Sequence, residues 1–372
     1  MTDNMQHTAG RLSEPELVAF CDTMIEKGSK SFAGASRLFA TQTRRSATLL
    51  YAWCRHCDDV IDGQELGFAP AGGGATASTE CLNQLRDETS AALAGDYSQP
   101  AFQALASVAE RHELPARHPL DLIEGFAMDV EGRSYETTED TLVYCYHVAG
   151  VVGVMMAMIM GVRRADALQR ASDLGIAFQL TNIARDVISD AESARIYVPR
   201  ELLEKHGMPQ TPEALLDRQH RTQLTNAIEE LLELADRYYA SASLGLTALD
   251  FRSAWAIATA RRVYRHIGRI VRTRGKSAWD QRASTGKLVK LSAAALALSD
   301  AAMTRTFVPG RLASSRLVRG RTSCGPEARA GAAGRIGLWT PPFLDVDAAA
   351  SLASVRTGSS RSSETGRFER NS

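Results

Sequence analysis

Two short stretches hold the residues best placed to do chemistry. In the first, Arg55-His56-Cys57-Asp58-Asp59-Val60-Ile61-Asp62, Asp58 and Asp62 are four apart and share one face of a helix. Arg55 stands one turn earlier on nearly the same stripe. In the second, Gln179-Leu180-Thr181-Asn182-Ile183-Ala184-Arg185-Asp186-Val187-Ile188-Ser189-Asp190, Asn182, Asp186 and Asp190 recur every four positions and Gln179 precedes them by three, so these four also share a face. Arg195 and Tyr197 follow before Pro199. Like charges so spaced repel. Each cluster sits in apolar sequence and is costly unless something cationic is bound. Hard oxygen ligands with an arginine alongside suit Mg2+ (or Mn2+) carrying a diphosphate.

Two such clusters holding divalent ions would neutralise a diphosphate and make it a better leaving group. Its departure leaves an allylic carbocation, which water would quench, so the cavity must be dry. The run 143–162 (VYCYHVAGVVGVMMAMIMGV) and Phe178 can supply its walls. That run is about long enough to span a bilayer. An all-round apolar helix equally suits the middle of a large bundle, and no second segment of comparable length accompanies it, so a buried central helix is expected. Other chemistries lack parts. The eight His are scattered rather than in ligand spacing, and no GxxxxGK[ST] or GxGxxG loop opens a helix after a strand. Cys54 and Cys57 have CxxC spacing but no second pair, which favours helix-face thiols over zinc.

The elements that must position these residues are helices. Apolar residues recur every three or four positions to about residue 306, and no alternating β-type run appears. The pattern predicts an all-α fold with helices near 14–26, 31–40, 43–62, 80–95, 100–113, 118–131, 138–161, 165–190, 212–243, 247–274 and 284–305. Ser13 with Glu16 predicts a capping box at the first, Thr211-Pro212-Glu213 an N-terminus, and Gly63 the end of the helix carrying the first aspartates. The organisation expected is a flexible 1–12, one helical domain over 13–308, and a tail over 309–372. The tail has ten Arg, no Lys and five acidic residues among many Ser, Gly and Ala, and so little apolar surface that it is expected to stay unfolded. Over the 372 residues, 43 Lys plus Arg balance 43 Asp plus Glu. No global field recruits nucleic acid, and an anionic substrate must be met by local charge. The polar N-terminus lacks the order of a signal peptide, so a cytoplasmic location and six free thiols are expected.

With both clusters in hand, the chain resembles the squalene and phytoene synthase family, and within it the bacterial phytoene synthases. The resembling segments are GSKSF (28–32), TRRSATLLYAWCRHCDDVID (43–62), GFAMDV (125–130), YCYHVAGVVG (144–153), LGIAFQLTNIARDVISD (174–190), RIYVP (195–199) and AWAIATARRVYRHIG (254–268). They reach from about residue 14 to about 290. The resemblance implies a single isoprenoid-synthase helical bundle with a central apolar cavity. It also implies head-to-head condensation of two geranylgeranyl diphosphates into phytoene, through a cyclopropylcarbinyl diphosphate and without NADPH. On this likeness Asp58, Asp62, Asp186 and Asp190 would ligate the metal, with Asp59 and Asn182 supporting. Ser29, Lys30, Ser31, Arg55, Arg185, Arg195, Tyr197 and Tyr264 would bind diphosphate oxygens, and Tyr144 and Gln179 would face the reacting carbons. Some family members carry His where this chain has Gly28. Peripheral membrane contact and contact with other carotenoid-pathway enzymes are the partners such a lipid chemistry suggests. A squalene-type or dehydrosqualene-type synthase acting on farnesyl diphosphate, and a catalytically silent helical lipid-binding protein, are the alternatives.

Overall fold

The structure, a computed structural model, describes residues 11–28, 34–63, 79–306 and 337–341. Among the described residues there are helices, turns and irregular segments but no strand. The chain is all-α, as its periodicity predicts. The helices are α1 (Glu14–Gly28), α2 (Thr41–Asp62), α3 (Thr79–Leu93), α4 (Pro100–His112), α5 (Arg117–Val130), α6 (Thr138–Cys145), α7 (Val151–Ile159), α8 (Ala165–Glu192), α9 (Arg200–Lys205), α10 (Pro212–Leu216), α11 (Arg221–Gly245), α12 (Phe251–Arg274) and α13 (Lys287–Thr306).

The bundle is built around α7 and α8. The apolar run that was long enough to cross a bilayer is the rod α6–α7 (Thr138–Ile159), and most of it is buried inside the protein. It packs against α2, α5 and α8, with Val151, Val154 and Met155 fully enclosed. This is the buried central helix that the sequence led us to expect. On its other side α8 carries α11 and α12, so α8 is covered on most of its circumference, and Ile176, Ala177, Leu180 and Ala184 have no exposure.

Glycine allows the close approach at the centre. A Cβ on Gly175 would lie 2.2 Å from the Ala149 carbonyl oxygen, and one on Gly153 would lie 2.4 Å from that of Ala171. Two backbones can touch here only because neither position has a side chain. The pattern at 138–161 predicts one continuous α-helix, but the rod is interrupted. Tyr146–Gly150 forms a π-turn in which the Val151 N–H reaches back to the Tyr146 carbonyl. Its partners lie on α5. The Tyr146 hydroxyl donates to Asp121 at 2.8 Å and His147 Nδ1 donates to the Asp121 carbonyl at 2.8 Å. One extra residue per turn lets Tyr146 and His147 reach Asp121 near the start of α5 while Tyr144 reaches Asp129 near its end.

Several predicted boundaries shift for local reasons. The span 212–243 is divided because Asp217 is extended and its carboxylate accepts the Gln219 N–H, opening a short 3₁₀ turn before α11. The span 247–274 restarts at Asp250, whose carboxylate caps the N–H groups of Arg252 and Ser253. The predicted helix at 31–40 is helical only at 34–36 among its described residues, then continues as i→i+3 turns through Phe39. The helix α9 has too few residues to show a period. At the first helix Glu16 accepts both the backbone N–H and the hydroxyl of Ser13, and Gly63 ends α2 in the left-handed conformation at φ 58°.

Both ends of the domain are held further out than expected. Within 1–12, Leu12 exchanges hydrogen bonds with the Gln103 side chain at 3.0 and 2.7 Å, and Arg11 lies over the Tyr97 ring. In the tail, residues 337–341 lie across the body. Trp339 Nε1 donates to Glu139 at 3.1 Å, the Tyr238 hydroxyl donates to the Trp339 carbonyl at 3.2 Å, and Arg237 donates to the Gly337 carbonyl at 2.9 Å. The Trp339 ring meets Tyr146 edge-on at 6.3 Å. Leu338 and Trp339 both pack against the core and anchor these residues.

Candidate active site

The first aspartate cluster occupies the last two turns of α2. Arg55 donates to Asp58 at 2.9 Å and to Asp59 at 2.5 Å, so one guanidinium holds the two carboxylates that repulsion would separate. Asp59 is buried, while Asp58 is half-exposed. Asp62 is the final residue of the helix. The segment carrying Ser29, Lys30 and Ser31 lies outside the described residues.

The second cluster lies near the C-terminal end of α8. Arg185 grips Asp186 with two donors, and Arg282 grips it with two more at 3.0 and 3.1 Å. Burial pushes the Asp186 carboxyl upward, but the two guanidinium groups outweigh it and hold its pKa below the ordinary carboxylate value. One turn on, the Arg195 and Arg185 charges also favour the ionised form of Asp190 but are outweighed. Burial first, and the Asp186 charge second, push it up to about 7. Asn182, one turn before Asp186, gives its amide N–H to Gln179 at 3.2 Å, and its buried Oδ1 has no hydrogen-bond partner among the described residues. An orphaned oxygen, a strained carboxylate and a second carboxylate on one stripe are the donor set that a hard divalent cation accepts. Among the described residues no three His, Cys, Asp or Glu side chains are clustered tightly enough to form a complete metal site alone.

Helix α8 ends in a Schellman turn with alanine where glycine is usual. The Arg195 N–H returns to the Asp190 carbonyl at 2.9 Å while Ala194 sits at φ 58°. The reversal brings Tyr197 back over α6, where the Thr141 hydroxyl donates to its carbonyl at 2.9 Å. A capping box between Thr137 and Asp140 opens α6 and sets Tyr144 two turns later. Tyr144 and Tyr197 then stack at 4.7 Å and 17°. Their hydroxyls converge on one carboxylate, Tyr144 donating to Asp129 Oδ2 at 3.1 Å and Tyr197 to Oδ1 at 2.8 Å. The Asp129 charge is felt at Asp190, which links the tyrosine pair to the acidic stripe. Phe178 stands one turn before Asn182 and two before Arg185 on α8, and Tyr264 stacks on it at 4.2 Å and 24°, within reach of the Arg185 and Asp186 charges.

The structure thus joins Asp186, Asp190, Asn182, Gln179, Arg185, Arg195, Tyr144 and Tyr197 around the end of α8, and groups Arg55, Asp58 and Asp59 on α2. Both helices pack on α7. Two residues were missed. Asp129 lies in the quoted segment GFAMDV, but a lone acid at the end of an apolar helix gives no spacing signal. Arg282 lies between α12 and α13, 96 residues from its partner, and reaches it because Trp279 Nε1 donates to the Ala184 carbonyl at 3.0 Å and pins that connection to α8.

The Squalene/phytoene synthase profile matches residues 25–292. The chain belongs to the squalene/phytoene synthase family. Its relatives include the 15-cis-phytoene synthase of Enterobacter agglomerans, 50% identical over 281 residues that make up 76% of this chain and 95% of that one. The 15-cis-phytoene synthase of Pantoea ananas is 49% identical over 294 residues, 79% of this chain and 94% of that one. Among solved structures, a dehydrosqualene synthase superposes with a TM-score of 0.68 at 29% identity, covering 77% of this chain and 96% of that one. Squalene synthase HpnC from Alicyclobacillus acidocaldarius gives 0.63 at 25% identity, covering 71% and 97%. The fold is therefore the all-α isoprenoid-synthase fold, in a family of divalent-metal-dependent enzymes.

Proposed function

We propose that this squalene/phytoene synthase family member is a phytoene synthase, a prenyltransferase that condenses two geranylgeranyl diphosphates head to head through a cyclopropylcarbinyl diphosphate. The observation that carries the reading is identity of about half the residues to 15-cis-phytoene synthases over nearly their whole length. The chemistry of the site agrees with it. Mg2+ (or Mn2+) held by Asp58, Asp62, Asp186 and Asp190, with Asp59 and Asn182 supporting, would draw charge from the diphosphate and ease its departure. Arg55, Arg185 and Arg195 supply paired donors for its oxygens, with Ser29, Lys30, Ser31, Tyr197 and Tyr264 completing the cradle. When a diphosphate arrives, Arg185 and Arg282 have an alternative to Asp186, which frees that carboxylate for the cation.

The carbocation left behind is met by the faces of Tyr144 and Phe178, whose π electrons attract positive charge without attacking it. Gln179 presents its amide from the same stripe of α8. The buried rod α6–α7 excludes water. No reductant enters this sequence of steps, so turnover is independent of NADPH. A lipid substrate and product also suit peripheral contact with a membrane and transfer to other enzymes of carotenoid synthesis, from a cytoplasmic location.

The test is incubation of the purified full-length protein with geranylgeranyl or farnesyl diphosphate, with and without Mg2+ and NADPH, and identification of the extracted hydrocarbon by mass and chromatography. A Mg2+-dependent C40 product formed without NADPH is expected. A C30 product would make this a squalene-type enzyme on the same fold, and no product from folded protein would favour a silent lipid-binding relative.

A further inference from the structure

The helix α13 has two apolar faces and buries one. Ala293, Ala297 and Ala301, four apart, are buried on the side that packs on α12. Polar clamps hold that side inward. Trp255 Nε1 donates to the Ala294 carbonyl at 2.8 Å, and Arg262 grips Asp300 with two donors at 2.9 and 2.7 Å. Turning the helix to bury its other side would break both. That other side carries Leu288, Leu291, Leu296 and Leu298, which are 82, 67, 58 and 40% exposed, four of the six exposed large apolar side chains among the described residues. With the exposed Ala295 they form an apolar strip along the helix. Apolar surface so concentrated marks an interaction site.

Charge and polarity decide what covers it. The outward face has no exposed acid, because the one carboxylate of α13, Asp300, is turned inward to Arg261 and Arg262. Its hydroxyls are also satisfied. Ser292 and Ser299 donate to the Val289 and Leu296 carbonyls of their own helix at 2.9 and 2.7 Å, so leaving bulk water costs them little. Lys287 and Lys290 stand in the first turn, where a cation opposes the helix dipole, and helix stability does not explain their place. Residues 307–336, which follow α13 in sequence, hold six Arg against one Glu. An apolar strip between cations and without anions matches the interface of a bilayer with anionic headgroups. A second copy of the chain fits less well. The spacing 288, 291, 295, 298 spans under two heptads and is flanked by Ser292 and Ser299 rather than by opposite charges, short of a coiled-coil seam.

We propose that α13 is the element that docks this protein on an anionic membrane, with its leucine strip in the bilayer interface and the flanking cations drawn to the headgroups. This gives a surface to the membrane contact put forward above and rests on that reading. Lys287 follows Arg282 by five residues, at most about 18 Å of chain, and Arg282 grips Asp186. A prenyl diphosphate whose tail lies in the bilayer therefore has a short path to the second aspartate cluster.

The experiment measures flotation of the purified full-length protein with vesicles of phosphatidylcholine, with or without about one third phosphatidylglycerol. The test variant combines Leu288→Ser and Leu291→Ser, and Leu216→Ser, at an exposed leucine on α10, is the control. Wild type and control are expected to bind the anionic vesicles, less strongly in added salt. The double variant should bind them about tenfold more weakly, the loss of two partly immersed leucines, with a thermal midpoint equal to wild type because both side chains face solvent. No binding by wild type would overturn the proposal and the membrane contact with it, whereas undiminished binding by the double variant would overturn the assignment to α13 alone. Equal binding to neutral and anionic vesicles would overturn it too. A fall in the variant's midpoint would do the same, by showing that the leucines already rest on another part of the chain, as would a wild-type dimer that the variant converts to monomer. Docking through α13 by a protein that converts no prenyl diphosphate would overturn the proposed function and support this proposal.

Discussion

Replacing Gly175 by alanine tests the closest contact in the bundle. In an ordinary helix interior this change stabilises by about 1 kcal/mol, through propensity alone. Here the new methyl would stand 2.2 Å from the Ala149 oxygen, 2.6 Å from its carbon and 2.7 Å from the Gly150 Cα, all of them backbone atoms that cannot rotate aside. Restoring van der Waals contact requires α8 and the π-turn to separate by about 1 Å, enough to forfeit a quarter to a half of the dispersion energy along the shared face. That face includes Val151, Val154 and Met155 on α7 and Ile176 on α8. Overpacking of this kind costs about 3 kcal/mol, more than offsetting the propensity gain. The net loss is about 2 kcal/mol, and at about 2–4 °C per kcal/mol for a domain of this size the thermal midpoint followed by far-ultraviolet circular dichroism should fall by roughly 4–8 °C. Because Gln179 and Asn182 lie one and two turns further along α8, turnover should fall as well. Gly286→Ala, where a Cβ meets nothing within 4 Å, is the control and should leave the midpoint unchanged. A midpoint for Gly175→Ala equal to or above wild type would refute the argument.

Asp190→Asn should abolish turnover yet raise the midpoint of the metal-free protein at pH 8. Its folded pKa, about 7, is above that of an unfolded carboxylate, so the charged form costs stability in full above pH 7, and the advantage of the variant should shrink as pH falls from 7 toward 4. Mg2+ with inorganic diphosphate should raise the wild-type midpoint, by about 2.7 kcal/mol at a hundredfold excess over Kd, and excess chelator should reverse the shift. Asp58→Asn should weaken that shift and lose turnover while keeping its helical circular dichroism, and full activity in the variant would remove Asp58 from the metal site. Trp339→Ala should lower stability by about 1 kcal/mol, the worth of a half-buried aromatic, with kcat unchanged. Denaturant titration and initial rates separate the two effects.

Much of this site was legible because helical periodicity is strict. Carboxylates spaced by four announce a shared face wherever the helix ends, and the apolar run at 143–162 could be placed at the centre from its composition alone. What stayed hidden depends on contacts between distant segments. Asp129 gains its meaning from two tyrosines 15 and 68 residues away, and Arg282 gains its meaning from a tryptophan that pins its loop to α8. The π-turn was hidden for another reason. Its residues are ordinary helix residues, and only the pull of Asp121 on Tyr146 and His147 shows why a residue is added there. The unpartnered Asn182 oxygen likewise depends on which groups the fold brings near it, which no spacing encodes.

The π-turn makes the rod α6–α7 two independently phased halves on one axis. Upstream of it Tyr144 is aimed at Asp129, and downstream Gly153 is aimed at the Ala171 carbonyl. One residue corresponds to about 100° of rotation, so a deletion or insertion within 146–150 would keep one alignment only by losing the other. A scan of single-residue deletions should therefore find this stretch unforgiving in length while remaining more permissive in side-chain identity. The length of this stretch is set by the need to serve two faces at once.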